Sequence, residues 1–243
     1  MSYFTPNTLG FLNALAANNR REWFDANRAR YEKDVREPAL RLIAAMVDRI
    51  PQLHPAFMAS PKKVGGSLFR IHRDTRFSGD KTPYKTHIGF TFFHAATRAT
   101  ARTTDTGNAA RGRLDAPVFY LHVAPGASFL GGGIWHPQTS ALRQIREYLV
   151  DNPASWRAAT QSPAFTADYA LGGDSLVRPP KGFEPTHPLI HDLKRKDFIA
   201  SADIVDDVLF RADLPDVLLT RYAPLAPLVD WLCDALTLPT DGN

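Results

Sequence analysis

Residues 70–87, RIHRDTRFSGDKTPYKTH, concentrate side chains that bind anions and transfer protons. Arginine offers a planar fork for phosphate or carboxylate, lysine a point charge, and histidine a group that titrates near neutral pH. The SGD and TP pairs in the middle are turn signals, and polar and apolar residues alternate around them. The pattern predicts a strand, a turn and a second strand that carry a cationic surface.

A period of two places the polar residues of several predicted strands on one face of a sheet. We expect strands at about 67–77, 85–94, 117–124 and 128–135. If these strands pair, the shared polar face carries Arg70, His72, Asp74, Arg76, Lys85, His87, Tyr120 and His122. The other face is expected to be buried beneath helices through Phe69, Ile71, Phe90, Phe92, Phe119 and Leu121. Arg73 breaks the alternation, so we expect it at a sheet end or in an ion pair.

This polar face has two interpretations. Antiparallel sheets commonly leave one face in water. Here the face concentrates cations and imidazoles, and clustered like charges cost stability unless an anion lies among them. The first hypothesis is therefore a binding or enzymatic site for a phosphorylated or other anionic small molecule, with Arg70 and Arg76 partly buried in it. Its proposed anion-binding residues are Arg70, Arg73, Arg76, Lys81 and Lys85, with Arg178 and Lys181 closing the site.

His87 and His122 are the acid–base candidates, because imidazole titrates near neutrality. Asp74 is a third candidate, expected to be ionised and to orient an arginine rather than act as a base. Together with His72, the two histidines would form a zinc site if their rings converged. The surrounding arginines disfavour a dication, so we expect no metal. The sequence names neither a reaction nor a cofactor.

Two other classes of function stay open. A nucleic-acid-binding module would use the basic face, with Tyr84 and Trp135 as stacking residues. The net charge of +4 is modest for that role. A structural or partner-binding protein without catalysis is the third hypothesis.

The 243 residues, 44% of them hydrophobic, predict a single α+β domain over 1–243. We expect an antiparallel sheet of about four or more strands at 63–135, packed by helices from 5–50 and by helical and extended segments from 139–243. Residues 98–116 are expected to form a mobile loop. The lone Cys233 is predicted to be a buried thiol. With no signal peptide or long apolar run, a cytoplasmic protein without a membrane partner is expected. The oligomeric state is not predicted.

Five blocks of the sequence resemble a bacterial and fungal family of unknown function, DUF2461. They are NNRREWFDANRARYE (18–32), RIHRDTRFSGDKTPYKTH (70–87), YLHVAPGASFLGGGIW (120–135), IREYL (145–149) and LVRPPKGF (176–183). They come in the family's order and span nearly the whole chain, while 98–116 is longer than the family's usual connection. The resemblance implies a single α+β domain and no established activity.

Overall fold

The computed structural model describes residues 2–76, 79–97 and 116–239. Helices lie before, between and after the strands. They are Pro6–Ala17 (α1), Arg21–Ala26 (α2), Arg28–Tyr31 (α3), Glu37–Met46 (α4), Ile50–Leu53 (α5), Thr139–Asp151 (α6), Pro153–Gln161 (α7), Pro163–Asp168 (α8), Ile190–Leu193 (α9), Asp206–Leu209 (α10), Leu214–Tyr222 (α11) and Ala226–Ala235 (α12). A π-helical turn, Glu32–Arg36, joins α3 to α4, and a 3₁₀ turn, Ala223–Leu225, joins α11 to α12.

Six strands form one antiparallel sheet in the order β1-β2-β3-β4-β6-β5. They are Phe57–Met58 (β1), Ile88–His94 (β2), Val118–Val123 (β3), Ser128–Ile134 (β4), Ala170–Gly172 (β5) and Phe198–Ile204 (β6). Helices come mainly before and after the central strands instead of alternating with them. The predicted α+β class with an antiparallel sheet is confirmed.

The register aligns the apolar residues of the central strands on one face. Phe90 pairs with Leu121, Leu121 pairs with Leu130, and Leu130 pairs with Ala202. Helices from both ends of the chain pack against this face. From α11, the Tyr222 ring lies 5.2 Å from Phe119, centroid to centroid, and its hydroxyl donates to the Tyr120 carbonyl at 2.9 Å. The predicted burial of Phe90, Phe92, Phe119 and Leu121 is confirmed, since all four side chains are fully buried.

The predicted strand at 67–77 is wrong. Its described residues pair with residues 84–90 only through isolated bridges, Leu68 with Phe90 and His72 with Tyr84. Between these bridges the segment 84–90 is two residues longer than the segment 68–72, so the hydrogen-bond ladder is interrupted as in a bulge. The bulge also breaks the alternation of faces, and Phe69 and Ile71 separate. Ile71 is buried in the core as predicted, whereas Phe69 lies half-buried over Gly89 on the opposite face.

Three further expectations concern the remaining chain. Cys233 is buried, as predicted, and burial raises the pKa of its thiol to about 12. The predicted loop at 98–116 lies outside the described residues except for Ala116. In the described part of the chain, none of the helices combines the length and the apolar character needed to span a bilayer.

Candidate functional site

The sheet face turned away from the helical core carries a groove of about 420 Å³. Glycines create much of its depth, because they leave positions of the face without side chains. A Cβ on Gly131 would lie 2.7 Å from the Ala200 carbonyl oxygen, and one on Gly133 would lie 2.0 Å from that of Phe198. Gly133 also has φ of 122°, a conformation that side chains disfavour. The close approach of β4 to β6 therefore requires glycine at these positions.

Aromatic side chains form the walls of this open-face groove. Phe69, Tyr120, Phe129 and Trp135 line it. The Tyr120 ring lies 6.1 Å from Phe69 and 5.7 Å from Phe129, measured between ring centroids. Trp135 follows β4 and keeps 51% of its surface exposed. Concave, mainly apolar surfaces of this size are typical of small-molecule sites.

One buried hydroxyl in the groove has no hydrogen-bond partner among the residues that the structure describes. It is the Oγ1 of Thr91, on a side chain that is only 1% exposed. Thr91 belongs to β2 and lines the groove beside Phe69 and Tyr120. A buried polar group without a partner costs roughly 1–3 kcal/mol. The oxygen itself has almost no exposed surface, so a polar atom of a bound molecule would supply the missing partner after a rotation of the Thr91 side chain toward the groove.

A stack of three rings extends from Phe129 in the groove, across His122 of β3, to His87, the residue that precedes β2. His87 stacks on His122 with centroids 4.2 Å apart, and His122 stacks on Phe129 at 4.7 Å. His122 Nδ1 lies 3.2 Å from the hydroxyl oxygen of Tyr120. The structure thus brings together three residues of the predicted polar face: His87, Tyr120 and His122.

The protonation of this cluster is set mainly by burial. Burial lowers the pKa of His87 to about 4, with smaller contributions from His122, Lys85 and Arg73. Burial also lowers the pKa of His122 and raises that of Tyr120 to about 12. All three groups are therefore neutral at pH 7. In this state the imidazole nitrogens can accept hydrogen bonds, but a pKa near 4 makes His87 a weak base at neutral pH.

Lys85 places a positive charge beside Phe69, one wall of the groove. Its ammonium lies 5.2 Å from the centroid of the Phe69 ring and donates to the Arg70 carbonyl at 3.0 Å. Burial, followed by the charge of Arg70, lowers the pKa of Lys85. An ammonium has three N–H donors, and the Arg70 carbonyl uses one of them. In the described structure no carboxylate forms an ion pair with Lys85, so a bound anion would relieve an unfavourable environment.

The other cations of the 70–87 segment do not converge on the groove. Arg70 and Arg76 are exposed, so their predicted burial is wrong. Asp74 binds Arg76 through two hydrogen bonds of 2.9 and 2.7 Å, which hold the pKa of Asp74 well below its usual range. Asp74 thus orients an arginine, as predicted, but in solvent. The interrupted ladder explains the difference, because residues beyond the bulge no longer follow the sheet's alternation.

Local partners also occupy two further predicted anion ligands. Arg73 forms an ion pair with Asp80 and a hydrogen bond with Thr82, which confirms its predicted pairing. Lys81 is exposed and donates to the Thr75 carbonyl at 2.9 Å. Both residues stabilise the turn in which they lie.

His72 lies apart from the other two histidines of the predicted face. Its ring is near Phe24 and Tyr84, on the side held by the N-terminal helices. Within the described ranges, no group of three or more His, Cys, Asp or Glu side chains is arranged to hold a metal ion.

The two residues predicted to stack on a ligand have different environments. Tyr84 is buried and stacks on Phe24 with centroids 4.2 Å apart, while Asn19 bonds both its N–H and its carbonyl. Tyr84 thus packs within the hydrophobic core, and its role as a ligand-stacking residue stays a prediction. Trp135 is exposed at the rim of the groove, where a planar ligand could reach it.

Arg178 and Lys181 are both exposed. They lie in the connection that leaves β5, the outermost strand at the opposite edge of the sheet from β1. No contact among the described residues joins either side chain to the groove. Their role in closing the site stays a prediction.

Sequence reasoning did not select several groove residues, namely Gly89, Thr91, Phe129 and Ser201. Gly89 and Thr91 share the alternation of Lys85 and His87, and the three successive glycines of SFLGGGI in β4 signal close backbone approach. These signals place the residues on a face. They do not reveal that Phe69 crosses over Gly89 and so forms one wall.

Comparison with known proteins gives a family but no activity. The profile described as "Conserved hypothetical protein (DUF2461)" matches residues 7–231. The chain belongs to the DUF2461 family. No curated protein and no solved structure matches it. The site of this DUF2461 protein must therefore be interpreted from its own residues. The matched range includes every residue that lines the groove.

Proposed function

We propose that this protein binds a small organic anion with a planar apolar body on the open face of its sheet. The body would occupy the groove between Phe69, Phe129 and Trp135. The acidic group would lie toward Lys85 and the stacked histidines, and a polar atom of the body would bond Thr91.

The observation that carries the proposal is the unpartnered Thr91 hydroxyl inside an aromatic groove. A surface built only for packing would gain nothing from a buried hydroxyl without a partner. The position of Lys85 at the end of the same wall favours an anionic ligand over a neutral one.

A small ligand is favoured over nucleic acid. Base stacking along a strand uses several exposed aromatic residues. Tyr84 is buried in the core, which leaves Trp135 as the exposed member of the predicted stacking pair. The exposed side chains of Arg70 and Arg76 still provide a basic surface. The aromatic groove, however, has a volume of about 420 Å³, which fits a compact molecule better than a nucleic-acid strand.

The test uses two compounds of nearly equal shape, naphthalene-2-sulfonate and its neutral analogue naphthalene-2-sulfonamide. Binding is followed by the fluorescence of the protein and by the melting temperature, which a ligand of the folded state raises. We expect the sulfonate to bind more tightly. Lys85→Met should weaken sulfonate binding by about tenfold, the value of one charge-assisted hydrogen bond, and leave the sulfonamide unaffected.

Lys81→Met is the matched control, because Lys81 is an exposed lysine in the same segment that bonds the Thr75 carbonyl. It should leave both affinities unchanged. If neither compound binds, or if the two lysine variants behave alike, the proposed site is wrong.

A further inference from the structure

The stacked histidines at the end of the groove have an unusual set of neighbours. His87 and His122 face each other at 4.2 Å, in a geometry in which two imidazolium ions would repel. No hydrogen bond to either ring nitrogen of His87 is present in the described part of the chain. His122 has one such contact, between Nδ1 and the Tyr120 hydroxyl.

The charged groups around His87 are cations or are already paired. Lys85 and Arg73 both lower its pKa, and Arg73 is bound to Asp80. From the π-helical turn, Arg36 lines a small cavity together with His87 and Tyr31, and its guanidinium donates to Glu32 at 2.9 Å. Among the described residues, no carboxylate is placed to stabilise a protonated imidazole here.

An anion at the Lys85 end of the groove would change this balance. A negative charge within about 4–6 Å of an imidazole favours its protonated form. Because the rings lie face to face, the first proton that the pair accepts disfavours a second one. The ring nitrogens of His87 would then gain the hydrogen-bond acceptor that they lack.

We propose that His87 and His122 form the anion contact of the groove and that the pair takes up one proton when the anion binds. This inference rests on the proposed function, which supplies the anion. The ligands that it selects are strong acids, such as sulfonates and phosphates, that remain ionised while the histidines become protonated. Binding and proton uptake are then one linked equilibrium, so affinity rises as pH falls.

The experiment is calorimetric titration of the protein with naphthalene-2-sulfonate in Tris and in bis-Tris, two cationic buffers with different heats of ionisation. The sulfonate stays ionised, so any proton that moves belongs to the protein. We expect the measured enthalpies to differ by the amount that corresponds to up to about half a proton per site at pH 7, because a nearby anion raises the pKa of an imidazole by about 1–3 units. The dissociation constant should fall by up to about tenfold for each pH unit of acidification, the limit for one linked proton.

Two variants identify the proton acceptor. His87→Gln should abolish most of the proton uptake and of the pH dependence while the sulfonate still binds. His72→Gln is the matched control: burial also lowers the pKa of His72, but its ring lies beside Phe24 and Tyr84, away from the groove. It should leave the uptake unchanged.

The possible failures are distinguishable. Sulfonate binding with equal enthalpies in both buffers and a constant affinity would overturn the proton-coupled contact and leave the proposed function standing. Proton uptake that survives in His87→Gln would assign it to other groups and also overturn the inference. Absence of sulfonate binding at every pH would overturn both.

Discussion

At the scale of single residues, the Thr91 hydroxyl is expected to lower the stability of the fold while it contributes to ligand binding. This hydroxyl is buried and unpartnered within the described chain, whereas Thr160, which is also buried, donates its hydroxyl to the Trp156 carbonyl at 2.8 Å. Both side chains have the size and shape of valine. The two positions therefore form a natural pair for measuring what the Thr91 hydroxyl contributes.

We expect Thr91→Val to raise the free energy of unfolding by about 1 kcal/mol, because it removes a buried polar group that lacks a partner. Thr160→Val should lower the free energy of unfolding by a similar amount, because it removes the hydrogen bond that the Thr160 hydroxyl donates to the Trp156 carbonyl. Urea denaturation measures both. The same Thr91 variant should reduce the gain in melting temperature given by naphthalene-2-sulfonate. A Thr91→Val protein less stable than wild type would contradict the structural account.

Alternation along the sequence predicts the position of some residues of the candidate site and not of others. Alternation predicts one shared face for four residues: Lys85, His87, Tyr120 and His122. The structure brings these side chains to one end of the groove. Arg70 and Arg76 were placed there by the same rule and lie in solvent. The rule holds within a regular strand and fails across the bulge, which the sequence does not reveal.

At the scale of elements, β4 is specialised for close approach to its neighbour. Gly133 has a positive φ and no space for a Cβ. Gly172 in β5 has open space where a Cβ would lie, and its φ is not in the disfavoured range. The absence of a side chain at Gly133 thus permits the close approach of the β6 backbone to β4.

Gly133→Ala should cost about 3 kcal/mol of unfolding free energy, from the disfavoured backbone conformation and from the collision with the Phe198 carbonyl. Gly172→Ala should change stability by less than about 0.5 kcal/mol, as exposed substitutions usually do. The midpoints of urea denaturation provide the comparison. Equal effects of the two substitutions would show that β4 and β6 are not packed as closely as described.

Regular elements were predictable where one period ran without interruption. The expected strands at 85–94, 117–124 and 128–135 correspond to β2, β3 and β4, with ends differing by a few residues. The edge strands β1 and β5 contain only two and three residues, too few for alternation to be recognised. The long-range pairing of β4 with β6 depends on tertiary contacts that a local pattern does not contain.

At the scale of the whole molecule, histidines that are shielded from water to different degrees make stability depend on pH. Burial is the main cause that lowers the pKa values of His54, His72, His87, His94 and His122. Because the folded values lie below the unfolded ones, the unfolded chain binds more protons as pH falls below about 6.5. Asp230 acts in the opposite direction, since burial raises its pKa to about 6.

We therefore expect the free energy of unfolding to decrease as pH falls from about 6.5 toward 4, the window between the unfolded and folded pKa values of His87. His87→Gln should remove roughly 1–2 kcal/mol of this decrease, a figure reduced from full burial because the side chain keeps partial access to water. Urea denaturation at several pH values measures the slope. A wild-type slope that the substitution leaves unchanged would show that His87 is not held neutral by the fold.

The short outer strands have a consequence for how this molecule meets other molecules. On one side, the backbone around Ser67 and Phe69 continues the pairing of β2 beyond β1; on the other, β5 covers the middle of β6, and the Arg221 guanidinium binds the Asp203 carbonyl at 2.9 Å. Among the described residues, these rims present only short rows of backbone groups to another chain. We expect such rims to disfavour fibril growth and strand exchange, which leaves the broad faces of the sheet for recognition.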